Sequence, residues 1–103
     1  MLRKKIDAII VCYNSDEWLV KCIESLNEQT QSLRHIYLID NAKTDLDLVA
    51  KLIQGNSSVR YIRLKKNLNY GGANNYGISR ALKNDADYIL IINPDIWLEN
   101  DAV

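Results

Sequence analysis

Apolar residues along this chain alternate between dense blocks and helical spacing. Residues 6–13, IDAIIVCY, form an almost wholly apolar run, the signature of a strand covered on both faces. In the next stretch, NSDEWLVKCIESLNEQ (14–29), Trp18, Leu19, Cys22, Ile23 and Leu26 fall at helical spacing behind Asn14, Ser15 and Asp16 as candidate caps. HIYLID (35–40) reads as a second buried strand. TDLDLVAKLIQG reads as a short helix, capped by Thr44 or Asp45 and stopped by Gly55. VRYIRL (59–64) is a third, more polar strand, suited to a position nearer a sheet edge. GGANNYGISRALKN (71–84) predicts a third helix with Ile78, Ala81 and Leu82 facing inward, and DYILIIN (87–93) a fourth strand.

Strict alternation of strand and helix predicts an α/β fold, a Rossmann-like three-layer α/β/α half-domain built on a parallel sheet. Right-handed crossovers of one helix each give the strand order 3-2-1-4. Ligands of such sheets bind beyond the carboxyl ends of the strands, beside the switch point between strands 1 and 4. The residues just after Tyr13, Ile39 and Ile92 are therefore the ones to inspect.

Composition narrows the choice of partner. The 103 residues suffice for one domain, and 48% apolar with 25% charged residues excludes a disordered chain. Thirteen basic residues balance thirteen acidic ones, which argues against a nucleic-acid partner held through its phosphates. Arg60, Arg63, Lys65 and Lys66 form a local basic stretch, read either as a solvated strand edge or as a phosphate-facing patch. Cys12 lies in an apolar strand and Cys22 on an apolar helix face, so both are expected to be reduced core residues. No run approaches the roughly eighteen apolar residues of a membrane span, and the expectation is a soluble cytoplasmic chain.

Each strand end poses a choice. After the first strand, Tyr13-Asn14-Ser15 lacks the glycine-rich turn of a dinucleotide site and the Gly-Lys-Ser/Thr of a P-loop. Tyr13 either stacks on a base or packs against the first helix. After the second, Asp40 is placed either to accept the N3–H of a uracil or thymine ring or to make a turn with its own backbone. Asn41 and Asp45 fit the turn reading better. Before the third helix, Gly71 and Gly72 permit close approach of a ligand to a helix N-terminus, which suits an anion. Asn74 and Asn75 weaken the expected first turn, which points to hydrogen bonds outside the helix. After the fourth strand, Asn93-Pro94-Asp95 is either a turn centred on proline or a carboxylate set to bind Mg2+ or Mn2+ together with a ligand's phosphates.

Taken in order, IIVCYN, IESLNEQ, LIDNAKTD, NLNYGGANNYGI and ILIINPD resemble the N-terminal half of a family 2 glycosyltransferase with the GT-A fold, over nearly the whole chain. The NPD form, with IDNA and GGANN, is similar to the rhamnosyltransferase-like branch. The resemblance implies a nucleotide-sugar donor, dTDP-rhamnose or a UDP-sugar, and transfer to an acceptor hydroxyl in cell-surface polysaccharide synthesis. It implies nucleotide-binding roles for Tyr13, Asn14, Asp40, Gly72, Asn75 and Asn93, and a metal-binding role for Asp95 with Mg2+ or Mn2+ through the diphosphate. It further implies a cytoplasmic location, peripheral to the inner face of the membrane.

Three departures qualify the match. The DXD motif is Asn93-Pro94-Asp95; the usual glycine of the loop before the third helix is Asn69, tolerable if its backbone is left-handed; and the family's acceptor half and catalytic base lie beyond Val103. The chain is thus read as a single truncated donor-binding domain, residues 1–103, inactive alone. The rival reading is a non-catalytic interaction module with a decayed site, dimerising through the apolar edge of the fourth strand around Ile89–Ile92 and Trp97.

Overall fold

The computed structural model describes residues 4–13, 16–29, 32–42, 46–94, 98–99 and 102–103. Seven elements alternate: β1 (Ile6–Tyr13), α1 (Asp16–Asn27), β2 (His35–Ala42), α2 (Leu46–Gly55), β3 (Val59–Arg63), α3 (Asn69–Lys83) and β4 (Tyr88–Ile92). All three pairings are parallel and the order is β3-β2-β1-β4, as the alternation predicted. β1 lies between β2 and β4, and every residue from Ile6 to Cys12 is buried, which is why that run carries apolar side chains on both faces.

The period-two alternation divides the core into two layers. Ala8, Ile10 and Cys12 of β1 join Ile36 and Leu38 of β2 beneath Leu19, Cys22, Ile23 and Leu26 of α1 and Leu52 of α2. Ile9 and Val11, with Tyr37 and Ile39, pack on the opposite face against Ala73 and Ala81 of α3. Both cysteines are buried in the core, as expected. Their flanking β3 and β4 are the outer strands of this sheet; β4 leaves Tyr88 and Ile91 exposed.

Several sequence expectations need correction. α1 buries Leu19, Cys22, Ile23 and Leu26, but Trp18 at the margin of that stripe is exposed. In α3, Leu82 points outward and Ile78 is only half-buried. Ala81 is buried as expected, and the inward stripe continues through Gly77 and Ala73, spaced four apart, so that the helix backbone lies close to the sheet. α3 also begins two residues earlier than predicted, which puts Asn74 and Asn75 in its second turn. β2 extends to Ala42 past a register shift between Cys12 and Tyr13 of β1, and β3 ends at Arg63.

At the amino ends of the strands sits an unexpected charge. Asp7, in the centre of the sheet and fully buried, pairs with Arg34. The exposed Lys5 nearby donates its backbone N–H to Asp87 and accepts from the backbone of Asp87 and Tyr88, fixing where β4 begins. Among the described residues, no helix is long and apolar enough to cross a membrane.

Candidate functional site

The parallel sheet brings the carboxyl ends of all four strands to one side of the molecule. Cys12 of β1, Asp40 of β2 and Arg63 of β3 are in register, and thus form a row across that end of the sheet. Asn93, directly after β4, lies on the other side of β1. The expected switch-point geometry is therefore present. Tyr13 closes β1; Asn14 and Asp95 lie outside the described residues, as do Thr44, Asp45 and Trp97.

Asp40 is fully buried and lies on the α1 face, by the alternation that puts Ile36 and Leu38 there. Its Oδ2 accepts from the Tyr61 hydroxyl at 2.5 Å and from Arg63 Nε at 3.2 Å, and Arg63 Nη2 completes an ion pair at 3.2 Å. Arg63 Nε also donates to the Tyr61 oxygen at 2.9 Å. Neither Tyr61 nor Arg63 is expected as a partner of Asp40 from the sequence, where the basic stretch reads as a solvated strand edge or a phosphate-facing patch. The signal was available: they are two residues apart on β3, and a parallel register places both on the face that Asp40 shares.

Burial first, and then the hydrogen bond to Asp40, push the Tyr61 hydroxyl up from 10.0 to about 12. A group whose pKa rises on folding contributes its full stability below its unfolded value and loses it as pH climbs through the folded one. The stability of the wild-type chain should therefore fall more steeply between pH 10 and 12 than that of Tyr61→Phe, measured by urea unfolding at fixed ionic strength. Equal slopes for the two proteins would show that this hydroxyl is not held as described.

Asn41, expected to bond its own turn, reaches further. Its Oδ1 accepts the backbone N–H of Leu68 at 2.9 Å, tethering the loop ahead of α3 to the end of β2. Asn67 accepts the N–H of Asn69 at 2.7 Å, and Asn69 takes φ 62, the left-handed conformation that its replacement of glycine requires. α3 starts at Asn69 with Leu68 at its N-cap; no side chain caps it and its first turn carries no acid. Those backbone donors are suited to an anion. Gly72 is tight locally: a Cβ there would come within 3.0 Å of Leu68 Cβ. Gly71 has nothing within 4 Å.

Asn75 is exposed, whereas Asn74 is buried with its Oδ1 lacking a hydrogen-bond partner. A buried amide oxygen left unpaired is costly, so of the two amides Asn74 carries the stronger mark of an unmet partner. Tyr70, one turn earlier, donates its hydroxyl to Asn93 Oδ1 at 2.6 Å. This links the start of α3 to the end of β4, and Cys22 Sγ sits 3.7 Å from the Asn93 carbonyl. Two cavities lined by described residues flank the edges of the sheet. One of about 530 Å3 lies against β4 and includes Tyr88, Leu90 and Leu98; one of about 410 Å3 lies against β3 and includes His35, Arg60 and Arg80.

Comparison with known proteins agrees with this geometry. The family described as Glycosyl transferase family 2 matches residues 7–103. Among curated relatives, glycosyltransferase GlyA of Streptococcus pneumoniae is 27% identical over 101 residues, covering 96% of this chain and 14% of its own. The amylovoran biosynthesis glycosyltransferase AmsB of Erwinia amylovora is 31% identical over 94 residues, covering 84% of this chain and 29% of its own. The chain therefore spans well under half the length of these relatives. Among solved structures, the mannosyltransferase PcManGT of Pyrobaculum calidifontis, in complex with GDP-Man and Mn2+, superposes with TM-score 0.80 at 16% identity, over 93% of this chain and 29% of that one. S. aureus TarS 1–349 in complex with UDP superposes with TM-score 0.78 at 19% identity, over 94% of this chain and 29% of that one.

Proposed function

Because the chain belongs to glycosyl transferase family 2, we propose that it is the donor-binding half of an enzyme that transfers a sugar from a nucleoside diphosphate to an acceptor hydroxyl. The observation that carries this reading is the row of polar groups at the carboxyl end of a 3-2-1-4 parallel sheet, with an uncapped helix start beside it. The diphosphate would lie between the start of α3 and the end of β4, which Tyr70 joins through its hydrogen bond to Asn93. Gly72 and the two amides Asn74 and Asn75 border that helix start, and Tyr13, which closes β1, is proposed with Asn14, the next residue in sequence, to contact the nucleotide.

A divalent ion is part of this proposal, and its fit rests on donor chemistry. Asn93 presents an amide oxygen, already placed by Tyr70, at the point where Pro94 takes the chain out of the ladder. With the Asp95 carboxylate two residues on, the donors are all hard oxygens, which suits Mg2+ or Mn2+. The ion would neutralise charge building on the departing diphosphate. The Mn2+ seen in the mannosyltransferase neighbour favours manganese as the first ion to test.

The finer assignment follows the relatives. AmsB is named for amylovoran biosynthesis, which favours a role in polysaccharide synthesis; a cytoplasmic position at the inner face of a membrane is proposed with it. dTDP-rhamnose and UDP-sugars are the donors proposed. The acceptor half and the catalytic base are proposed to lie in sequence that this chain does not contain, so that residues 1–103 alone transfer no sugar.

Calorimetric titration of the folded chain with UDP and with GDP, each with Mn2+, is expected to show binding in the range of roughly 10 μM to 1 mM. Silence at several millimolar, with circular dichroism showing an intact fold, would overturn the donor-site reading. A second reading has its own observation: Tyr88 and Ile91 stand exposed on β4, an outer strand of this sheet. A silent titration together with sedimentation as a dimer would favour that reading, a dimerising module with a decayed nucleotide site.

A further inference from the structure

We propose that the cavity against β3 is a second binding site, which holds the phosphate group of a monoester that also carries an apolar or ring-bearing body. The alternation of the sheet builds its wall. Tyr37 of β2 and Arg60 of β3 are in register, so their side chains share the α3 face with His35 and Ile62, two residues away on each strand. Arg80 and Asn84 line the same cavity from the last turn of α3 and its C-cap. Arg63 stands an odd number of residues from Arg60, and so turns to the opposite face and to Asp40. The basic stretch of the sequence is thereby divided, and Arg60 is the member that faces this cavity.

The polar groups of this wall are mostly donors. The Arg80 guanidinium makes no hydrogen bond or ion pair with the described residues. Arg60 directs Nη1 to the carbonyls of Ser57 and Val59, which leaves Nε and Nη2 without a described partner. Tyr37 is buried; its hydroxyl receives Asn84 Nδ2 at 3.1 Å, and its own proton meets no described acceptor. His35 Nδ1 is buried without a hydrogen-bond partner. Burial first, and then the charge of Arg60, hold the His35 imidazole below its ordinary pKa, so that charge is felt along the wall. Among the described residues no carboxylate lines the cavity, and Asp7 nearby is already paired with Arg34. The carbonyl end of α3 opposes an anion with about half a charge, and Arg34 Nη1 already binds the Asn84 carbonyl there. Two full positive charges outweigh it.

Donor number and cavity size select the ligand. A carboxylate offers two acceptor oxygens and a phosphate monoester three. Two guanidinium forks, one from the strand and one from the helix, together with a tyrosine hydroxyl match the larger number. A volume of about 410 Å3 is that of a small-molecule pocket. Ile53, Val59 and Ile62 add apolar surface beside the donors, so the phosphate is expected to carry a body that covers them. Arg80 comes eleven residues after Asn69, about 16 Å along α3. The cavity is therefore separate from the diphosphate position proposed at the start of that helix.

The test titrates the folded chain with phenyl phosphate and follows by NMR the ring signals of His35, the sole histidine. These signals should shift and saturate with a dissociation constant of roughly 0.1–1 mM, and inorganic phosphate should bind more weakly. Arg60→Gln and Arg80→Gln should each weaken phenyl phosphate about tenfold, the size of one hydrogen bond from a charged donor. Lys83→Gln removes an equal charge from the last turn of α3 outside the cavity wall, and should leave binding unchanged. A thermal melt verifies that the variants fold. Their affinity for UDP with Mn2+ should equal that of the wild type, so this site and the donor site stand or fall separately. Vesicles of phosphatidylcholine with phosphatidic acid identify the source: retention that Arg80→Gln abolishes assigns the phosphate to a lipid, and phenyl phosphate binding without retention assigns it to a soluble ester. Unmoved His35 signals, equal weakening by Lys83→Gln, or equal affinity for inorganic phosphate would each overturn the proposal.

Discussion

Replacing Arg34 with methionine should lower the unfolding free energy by about 3–5 kcal/mol, the cost of stranding a buried charge. Asp7 sits near the amino end of β1, between β2 and β4, with no exposed surface. Its Oδ2 accepts from Arg34 Nη2 at 2.7 Å, and its Oδ1 from Arg34 Nε at 3.0 Å and the His35 backbone N–H at 3.2 Å. Arg34 Nη1 meanwhile donates to the Asn84 carbonyl at 2.6 Å, just after α3. One guanidinium thus ties β1 to the end of the helix packed above it. The hydrogen bond to Asp7 is the main reason why the arginine is held above its ordinary pKa.

The two halves of this pair are not equivalent. Methionine at position 34 fills much of the same volume but leaves a carboxylate in the core with a single backbone donor. Asp7→Asn removes the charge instead, and Arg34, a quarter exposed, turns toward water. The asparagine variant should therefore lose less than half of what Arg34→Met loses. Urea unfolding of both variants measures the difference. A loss below about 1 kcal/mol for Arg34→Met would mean that this pair weighs no more than an exposed one. Salt should change the result little, because a fully buried partner is poorly screened.

This pair also shows where sequence reading ended. The alternation of strand-like and helical blocks was enough for element order and sheet order, since each depends on polarity patterns that local residues carry. Asn69 was readable too, because a residue standing for glycine implies a left-handed backbone. The Asp7 pairing was not, since its partner lies 27 residues away and the strand around it is otherwise apolar. The cluster of Asp40, Tyr61 and Arg63 failed for a related reason: a register between parallel strands had to be known before the shared face was visible. For α3 the error was one of weighting. Helical spacing places Ile78 and Leu82 inward beside Ala81, but close packing of this helix on the sheet buries Ala81 with Ala73 and Gly77 and leaves Leu82 outside.

That close packing makes Gly77 the most sensitive position in α3. A Cβ there would lie 2.7 Å from Ile9 Cγ2 and 3.3 Å from both Cγ1 and Cδ1. Ile9 is fully buried in β1 between β2 and β4, so it has little room to yield. Gly77→Val should cost about 3 kcal/mol, because overpacking outweighs the roughly 0.5 kcal/mol that leaving glycine gains in helix propensity. Gly77→Ala should show the same conflict in milder form: alanine gains about 1 kcal/mol in helix propensity and loses it to the clash. Combined with Ile9→Ala, the alanine variant should regain that propensity, so the double mutant is more stable than the sum of the two single losses allows. Strict additivity in urea unfolding would show that helix and strand are not in contact there. A shift of α3 away from β1 also carries Asn69 to Asn75 with it, since the start of this helix borders the proposed diphosphate position. Gly77→Val should therefore weaken UDP and CDP by the same factor.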